Sequence, residues 1–364
     1  MMNKSEKEKI PPSPIEAPAL LTVSPPPHIK HNDTTRSIML DVIIALIPAT
    51  VWGVIVFGPR ALIITAISVI SSVLFEFLSR KLFRRSNTVG DLSAVVTGLL
   101  LGLNLPSAVS YWIPVVGAFF AIVVVKQLFG GIGKNFINPA LAGRAFLFAW
   151  PSEMTTFPEA FNRLSVLKIT YAGSADAIAS ATPLASLKHG NLPDASLLDL
   201  FLGRCAGSIG EISALLLLIG GIYLIARRVI TWHIPVAYIG TVAALTFIFP
   251  NGGDRFGVML SELLTGGLFL GAIFMATDYC TSPVTARGRL IYGFGCGCMT
   301  VFIRYFGGYN EGVSFAILMM NMLVWYFDRS TKPRVFGTRS GMEKLRARAA
   351  EKRAAAAGKE ESGK

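Results

Sequence analysis

The stretch at residues 38–58 reads I-M-L-D-V-I-I-A-L-I-P-A-T-V-W-G-V-I-V-F-G, and its only charged residue is Asp41. A helix needs about 20 predominantly apolar residues to cross a lipid bilayer, and this stretch is long enough. Further apolar stretches follow at residues 60–79, 90–105, 111–128, 138–151, 208–226, 232–250, 257–276, 289–307 and 312–327. The sequence therefore predicts an all-α integral membrane protein with ten transmembrane helices.

Composition and charge distribution support the same class of protein. Of the 364 residues, 52% are hydrophobic and 15% are charged, and the mean hydropathy is +0.55, values typical of a polytopic membrane protein. A net charge of +12 also occurs in nucleic-acid-binding proteins, but here the basic residues lie mainly in the tails and in short loops between apolar stretches. That distribution indicates membrane topology and argues against binding to a nucleic acid.

The positive-inside rule predicts how the chain is divided between the two sides of a bacterial or archaeal cell (inner) membrane. Both termini are expected in the cytoplasm, as a disordered tail over residues 1–36 and a basic tail over 329–364. The transmembrane domain then covers 37–328, and the long loop at 152–207 is extracytoplasmic. A loop of this length in a membrane protein usually carries a function of its own.

An internal repeat suggests that the helices form two related halves. The motif S-x3-T-G-x3-G at Ser93–Gly102 recurs as S-x3-T-G-G-x3-G at Ser261–Gly271. The two copies fall in the third and eighth predicted spans and so cross in opposite directions, as an inverted 5+5 repeat requires. The alternative is close helix packing through small residues at four-residue spacing, which is common in membrane helices.

One polar loop on the predicted inner side is K-N-F-I-N-P-A-L-A-G-R at Lys134–Arg144. Asn138 followed by Pro139 is typical of a helix start, and the free N–H groups there suit a flavin ring oxygen or an anion. Arg144 is a charge within a predicted span and needs a partner or a cavity. Simple capping with a snorkelling arginine is the alternative interpretation.

A second polar loop on the same side is M-A-T-D-Y-C-T-S-P at Met275–Pro283. Asp278, Thr281 and Ser282 combine a carboxylate with two hydroxyls, a set that suits a flavin or a hydrated cation. The Ser282-Pro sequence also predicts a capped helix start. An ordinary polar turn between helices explains the loop equally well.

The extracytoplasmic loop contains D-A-I-A-S-A-T-P-L-A at Asp176–Ala185. Pro183 biases Thr182 toward an extended backbone, and the small neighbouring residues leave its hydroxyl accessible. Asp176, Ala181 and Thr182 fit the pattern D-x-x-(S/T)-G-A-T, at which a flavin transferase joins FMN through its phosphate to a threonine hydroxyl. Two positions of this pattern differ, since Ala and Ser stand in place of the Ser/Thr and the Gly.

Longer motifs place this resemblance in one family. They are D-V-I-I-A-L-I-P-A at Asp41–Ala49, V-V-K-Q-L-F-G-G at Val124–Gly131 and R-Y-F-G-G-Y-N-E-G at Arg304–Gly312. With the threonine motif, they resemble the D subunit of the Rnf electron-transport complex, whose relative is the B subunit of the Na+-translocating NADH:quinone reductase. The resemblance runs from about Pro26 to Gly337.

The resemblance implies a urea-transporter-like bundle and a non-autonomous subunit of a translocating oxidoreductase complex. Such a complex couples electron flow between ferredoxin and NAD+ to translocation of Na+ or H+. The implied cofactors are FMN attached covalently to Thr182 and a non-covalent riboflavin, for which we predict a site near Asn138–Arg144 and Asp278–Ser282. The implied partners are a flavin transferase and other Rnf subunits, among them a second FMN-bearing subunit and an iron–sulfur subunit.

Other functions remain open from the sequence. Within the family, the alternative is the B subunit of the quinone reductase. Outside it, the same bundle suits a small-solute channel or a structural scaffold protein, in which Thr182 would be an ordinary loop residue. The four cysteines and four histidines lack metal-ligand spacing, so we predict neither a metal site nor catalytic residues.

Overall fold

The computed structural model describes residues 33–162, 164–171, 182–193, 195–252, 254–308 and 311–333. Most of the two predicted tails lies outside the described residues, and so do Asp176 and Ala181 of the threonine motif.

The regular secondary structure of the described residues is helical, with no β-strand among them. The α-helices, in chain order, are α1 (Thr35–Phe57), α2 (Pro59–Leu82), α3 (Ser93–Leu103), α4 (Trp112–Phe119), α5 (Pro139–Leu147), α6 (Pro151–Met154), α7 (Pro183–Lys188), α8 (Leu197–Leu202), α9 (Ala214–Ala226), α10 (His233–Ile248), α11 (Arg255–Leu264), α12 (Leu268–Leu270), α13 (Ala286–Phe306) and α14 (Val313–Thr331). Helix α4 continues as a π-helix over Phe120–Gln127, helix α12 continues as one over Gly271–Met275, and a short 3₁₀ turn covers Val89–Asp91.

Helix length and hydropathy identify the clearest membrane spans. Helices α1 and α2 are long and apolar enough to cross a bilayer, and the pair formed by Arg255–Leu264 and Leu268–Met275 passes the same test if it is taken as one span bent by 59°. Helices α3, α9 and α10 are apolar but shorter, and so is the continuous helical segment Trp112–Gln127. The fold is therefore that of an all-helical protein with membrane-spanning character.

Helix packing follows a similar order in the two halves of the chain. Helix α2 packs against α3 and α4, and helix α10 packs against α11 and α13. Helix α1 contacts α9, and α5 contacts α14, so these pairs join the halves. The core between the helices includes the fully buried side chains of Phe57, Ile64, Leu101, Ile113, Leu141, Tyr238 and Tyr292.

The two copies of the repeated motif adopt different backbones. Ser93–Gly102 lies within the continuous helix α3, where a Cβ atom on Gly98 would come within 2.8 Å of the backbone of α2. The second copy, Ser261–Gly271, is interrupted between α11 and α12, because Gly266 and Gly267 have φ angles of +68° and +65°. The first copy is thus a close-packing face, whereas the second is a helix break.

A buried arginine anchors the first part of the predicted extracytoplasmic loop. Arg60, at the start of α2, is fully buried and donates to the carbonyl oxygen of Ser107 at 2.9 Å. Its guanidinium lies 4.5 Å from the ring centre of Tyr111 and 4.7 Å from that of Tyr171. Tyr111 in turn donates to the carbonyl oxygen of Val166 at 2.7 Å. These contacts fix the loop backbone against the end of the bundle.

Candidate functional site

Thr182 lies immediately before helix α7. Its φ and ψ angles of −64° and 148° confirm the extended backbone that the following proline predicts. The carbonyl oxygen of Thr182 accepts from the backbone N–H of Ala185 at 2.8 Å, so the backbone caps the helix while the side chain does not. The residue is half-buried. Its hydroxyl is therefore not used to start the helix.

Thr182 lines a small groove with Glu211, Glu311, Thr265 and Gly266. The cavity volume is about 20 Å³, close to the space of a single water molecule. A flavin ring does not fit inside it. The groove fits a phosphate linkage at the Thr182 hydroxyl only if the ring of the attached group lies outside the groove.

Arg144 joins helix α5 to the wall of this groove. Its Nη1 donates to Glu211 Oε1 at 3.0 Å, to Asn104 Oδ1 at 2.8 Å and to Ser314 Oγ at 2.9 Å. Its Nη2 forms a second ion pair, with Glu311. The predicted charge within a span therefore has two carboxylate partners, and we call Arg144, Glu211 and Glu311 the groove charge cluster.

A second buried ion pair holds the floor of the groove. Arg304 of α13 donates to the Glu262 carboxylate at 2.6 Å and to the carbonyl oxygen of Thr265 at 3.1 Å. The Thr265 carbonyl belongs to the break between α11 and α12, where the regular helical hydrogen bonding stops. The guanidinium thus compensates for the broken helix and neutralises one buried carboxylate.

A larger cavity of about 340 Å³ lies between α1, α3, α9 and the two polar loops. Its walls are mainly apolar, with Val96, Leu100, Ile230 and Phe274 among them. Its polar side chains include those of Ser93, Thr97, Lys126, Asn138, Thr277 and Asp278. Mostly apolar walls, a few polar groups and a volume above about 300 Å³ are typical of a small-molecule pocket.

The polar side of this cavity is held by a buried hydrogen-bond network. Lys126 Nζ donates to Glu76 at 2.8 Å and to the Ser93 hydroxyl at 2.6 Å. Burial raises the pKa of the Asp278 carboxyl, although Thr281 donates a hydrogen bond to it at 3.1 Å. The cavity therefore presents a lysine ammonium and a carboxyl that protonates more readily than one in water.

The comparison of the sequence with known families matches residues 22–337 to the family described as NQR2, RnfD, RnfE. The chain belongs to this family. It is 50% identical to the D subunit of the Na(+)-translocating ferredoxin:NAD(+) oxidoreductase complex of Acetobacterium woodii, over 87% of this chain and 95% of the relative. It is 40% identical to the D subunit of the proton-translocating ferredoxin:NAD(+) oxidoreductase complex of Clostridium ljungdahlii, over 88% and 97% of the two chains. It is 41% identical to the D subunit of the ion-translocating oxidoreductase complex of Stutzerimonas stutzeri, over 82% and 91%.

The structure of this NQR2, RnfD, RnfE family member brings two of the predicted site residues together. Asn138 and Asp278 both line the larger cavity, whereas Arg144, Thr281 and Ser282 do not. Asn138 caps α5 as predicted, and its side chain itself accepts from two N–H groups at the helix start, which are therefore not free for a ligand.

The predicted helix start at Ser282 is wrong. Helix α13 begins at Ala286, and its cap is Thr285, whose hydroxyl accepts from the N–H of Gly288 at 3.0 Å. Ser and Thr are both favoured N-cap residues, so local sequence does not decide between Ser282 and Thr285.

Several residues of both sites were not predicted from the sequence. Lys126 lies within an apolar stretch, and a charge in that setting was an available signal. Glu211 lies in none of the motifs and Glu311 lies in the Arg304–Gly312 motif, but only the tertiary structure brings the two residues to Arg144.

Proposed function

We propose that this chain is the D subunit of an ion-translocating ferredoxin:NAD+ oxidoreductase complex and carries electrons through a flavin. The observation that supports this most strongly is its similarity, over more than nine-tenths of their length, to relatives that bear this name. The family also includes NQR2 proteins, so the B subunit of a quinone reductase is the neighbouring assignment. The names of these relatives favour the ferredoxin-linked complex.

In this proposal FMN is attached through its phosphate to the Thr182 hydroxyl. Bound FMN supplies the electron-transfer chemistry, and the protein supplies its position and electrostatic surroundings. Thr182 Oγ holds the phosphate at the mouth of the groove, and the Thr182 side chain makes no capping hydrogen bond to α7 that would compete with this linkage. The acidic wall formed by Glu211 and Glu311 keeps an anionic phosphate out of the groove itself.

The larger cavity is the proposed site of a non-covalent riboflavin. Its apolar walls suit the flat face of the flavin ring, and Lys126, Asn138 and Asp278 offer polar groups at its edge. Asp278 supplies a carboxyl and Lys126 supplies donors, which match the mixed acceptors and donors of a flavin.

The proposed membrane architecture is ten spans in two inverted halves, as in a urea-transporter-like bundle. Helix α2 packs against α3 and α4, and helix α10 packs in a similar way against α11 and α13. This similarity supports two related halves. The interrupted pair α11 and α12 and the nine-residue helix α5 resemble the broken helices of transporters. With both termini in the cytoplasm, Thr182 lies on the extracytoplasmic side of the membrane, and the larger cavity opens toward the cytoplasmic side.

The proposed complex couples this electron transfer to the movement of a monovalent cation. One relative is named for Na+ and another for protons, so family membership leaves the ion open. The proposed partners are the other subunits of the complex, including a second FMN-bearing subunit and an iron–sulfur subunit, together with the flavin transferase.

The experiment is covalent flavin fluorescence on a denaturing gel, with chain variants co-expressed with the transferase. Thr182→Val should abolish the fluorescent band, because it removes the hydroxyl and keeps the shape of the side chain. Thr182→Ser retains a hydroxyl and should retain at least part of the band. An equally bright band in Thr182→Val, or no band and no FMN mass increment in the wild-type peptide, would overturn the attachment.

A further inference from the structure

The last turn of helix α2 contains an arginine that has no counter-charge among the described residues. The Arg80 side chain is only 7% exposed, and its Nε atom is buried without a hydrogen-bond partner there. None of the ion pairs in the described part of the chain includes its guanidinium. Glu76, one turn earlier in α2, is paired with Lys126 at 2.8 Å. An unpaired charge in such a poorly solvated position has a large energetic cost, so the position favours an anionic partner.

The loop after the π-helix of Phe120–Gln127 makes room for this guanidinium. Gly131 has a φ angle of +97°, and a Cβ atom there would collide with Arg80 Nη2. The exposed Arg85 approaches the same loop, where its Nη1 donates to the carbonyl oxygen of Gln127 at 3.1 Å. The loop therefore holds two guanidinium groups at one end of α2.

Large apolar side chains flank these arginines. Leu82 is 78% exposed and Leu128 is 57% exposed, and both adjoin the two guanidinium groups in sequence or through the loop. The exposed rings of Phe129 and Phe136 pack edge to face with 5.0 Å between their centres. Because α2 is long and apolar enough to cross a bilayer, its last turn lies at a membrane surface. Exposed apolar side chains beside cations are typical of the boundary between lipid tails and head groups.

We propose that Arg80 and Arg85 bind the phosphate group of an anionic phospholipid, whose acyl chains pack on Leu128, Phe129 and Phe136. Guanidinium groups match phosphate oxygens in both charge and geometry. In the proposed topology this end of α2 faces the cytoplasmic leaflet, where anionic lipids attract basic groups. Neither arginine lines the larger cavity, so the site is separate from it and does not depend on a flavin.

Stabilisation of the helix end is the other role that basic residues have at this position. Cations in the last turn of a helix interact favourably with its free carbonyl groups. The exposed Lys81 is placed for that role. Burial is not needed for it, however, and the buried Arg80 Nε donates to no carbonyl of the described residues. The burial of an unpaired guanidinium is what points to a ligand.

The test is photo-crosslinking of the purified complex in phosphatidylcholine vesicles that contain a small fraction of photoreactive phosphatidylglycerol. Peptide mass spectrometry should find the label on residues 128–136. Arg80→Gln and Arg85→Gln should each reduce this labelling about tenfold at subsaturating lipid, because charge-assisted hydrogen bonds to the phosphate are lost. Arg287→Gln removes an exposed arginine at the start of α13 and should leave the labelling unchanged.

Thermal unfolding separates lipid binding from a packing role of Arg80. In phosphatidylcholine alone, Arg80→Gln should be at least as stable as the wild type, because it removes an unpaired buried charge. Phosphatidylglycerol should then raise the midpoint of the wild type and not that of the variant. If Arg80→Gln does not fold, the exposed Arg85→Gln carries the labelling test.

Three results would overturn the lipid site. They are wild-type labelling in both glutamine variants, equal labelling by a photoreactive phosphatidylcholine, and a large loss of stability of Arg80→Gln in phosphatidylcholine alone. Displacement of the phosphatidylglycerol label by inorganic phosphate would also overturn it and would assign the site to a free phosphate ion.

Discussion

Gly267 lies directly beneath the Glu211 side chain, at the break between helices α11 and α12. Its φ angle is +65°, a left-handed conformation that residues other than glycine rarely adopt. A Cβ atom at this position would lie 2.7 Å from the carboxyl carbon of Glu211. Both the backbone and the space above it therefore require glycine, and the position of the Glu211 carboxylate depends on this residue.

Gly267→Ala should destabilise the protein by roughly 1–3 kcal/mol, through backbone strain and displacement of the buried carboxylate. The thermal unfolding midpoint of the purified protein in detergent measures this effect. Gly240→Ala in helix α10 is the matched control, because no atom of the described residues lies within 4 Å of its added Cβ. That change should be neutral or stabilising by up to about 1 kcal/mol. Equal midpoints for the two variants would contradict the role of Gly267.

At the scale of elements, the larger cavity depends on the contact between two short helical pieces. Asn138 Oδ1 accepts from the N–H groups of Ala140 at 3.0 Å and Leu141 at 3.3 Å, which starts helix α5. Its Nδ2 donates to the carbonyl oxygen of Met275 at 3.2 Å, at the end of the π-helix that follows α12. One side chain thus caps a helix and ties it to the opposite half of the chain.

Asn138→Ala should lower the amount of non-covalent riboflavin in the purified complex, because it loosens the wall of the proposed site. The lost cap alone costs about 1 kcal/mol. Acid extraction followed by chromatography measures the flavin released per protein. Ser213→Ala removes the cap of helix α9 and serves as the control, since Ser213 does not line the cavity. Equal riboflavin in the two variants would argue against the proposed site.

Local sequence predicted some of these elements and not others, for physical reasons. The Asn138-Pro cap was predictable because the cap and the helix that it starts are neighbours in sequence. The break within Ser261–Gly271 was not, because paired glycines also occur inside membrane helices. Its stability depends on Arg304, about 40 residues further along the chain. The groove charge cluster, formed by Arg144, Glu211 and Glu311, was equally hidden, since the two glutamates are separated from Arg144 by 67 and 167 residues.

At the scale of the whole molecule, composition predicts the membrane class and the family motifs predict the architecture. Helix length supports only part of the ten-span prediction, because α1, α2 and one bent pair meet the criteria for a span. A helix rises about 1.5 Å per residue, so α3 with eleven residues is much shorter than a bilayer of about 30 Å. Short helices of this kind are stable in a membrane only where neighbouring helices cover their ends. The number of crossings is thus a property of the assembled bundle.

The proposed topology has a direct test with single cysteines and a membrane-impermeant thiol reagent added to intact cells. His189, just after α7, and Lys81, near the end of α2, are both exposed and therefore accessible to the reagent. We expect His189→Cys to react before lysis, because it follows Thr182 on the outer side, and Lys81→Cys to react only after lysis. Mass spectrometry of the labelled peptides separates these sites from the four native cysteines. If only Lys81→Cys were labelled in intact cells, the proposed topology would be wrong, and Thr182 would lie in the cytoplasm.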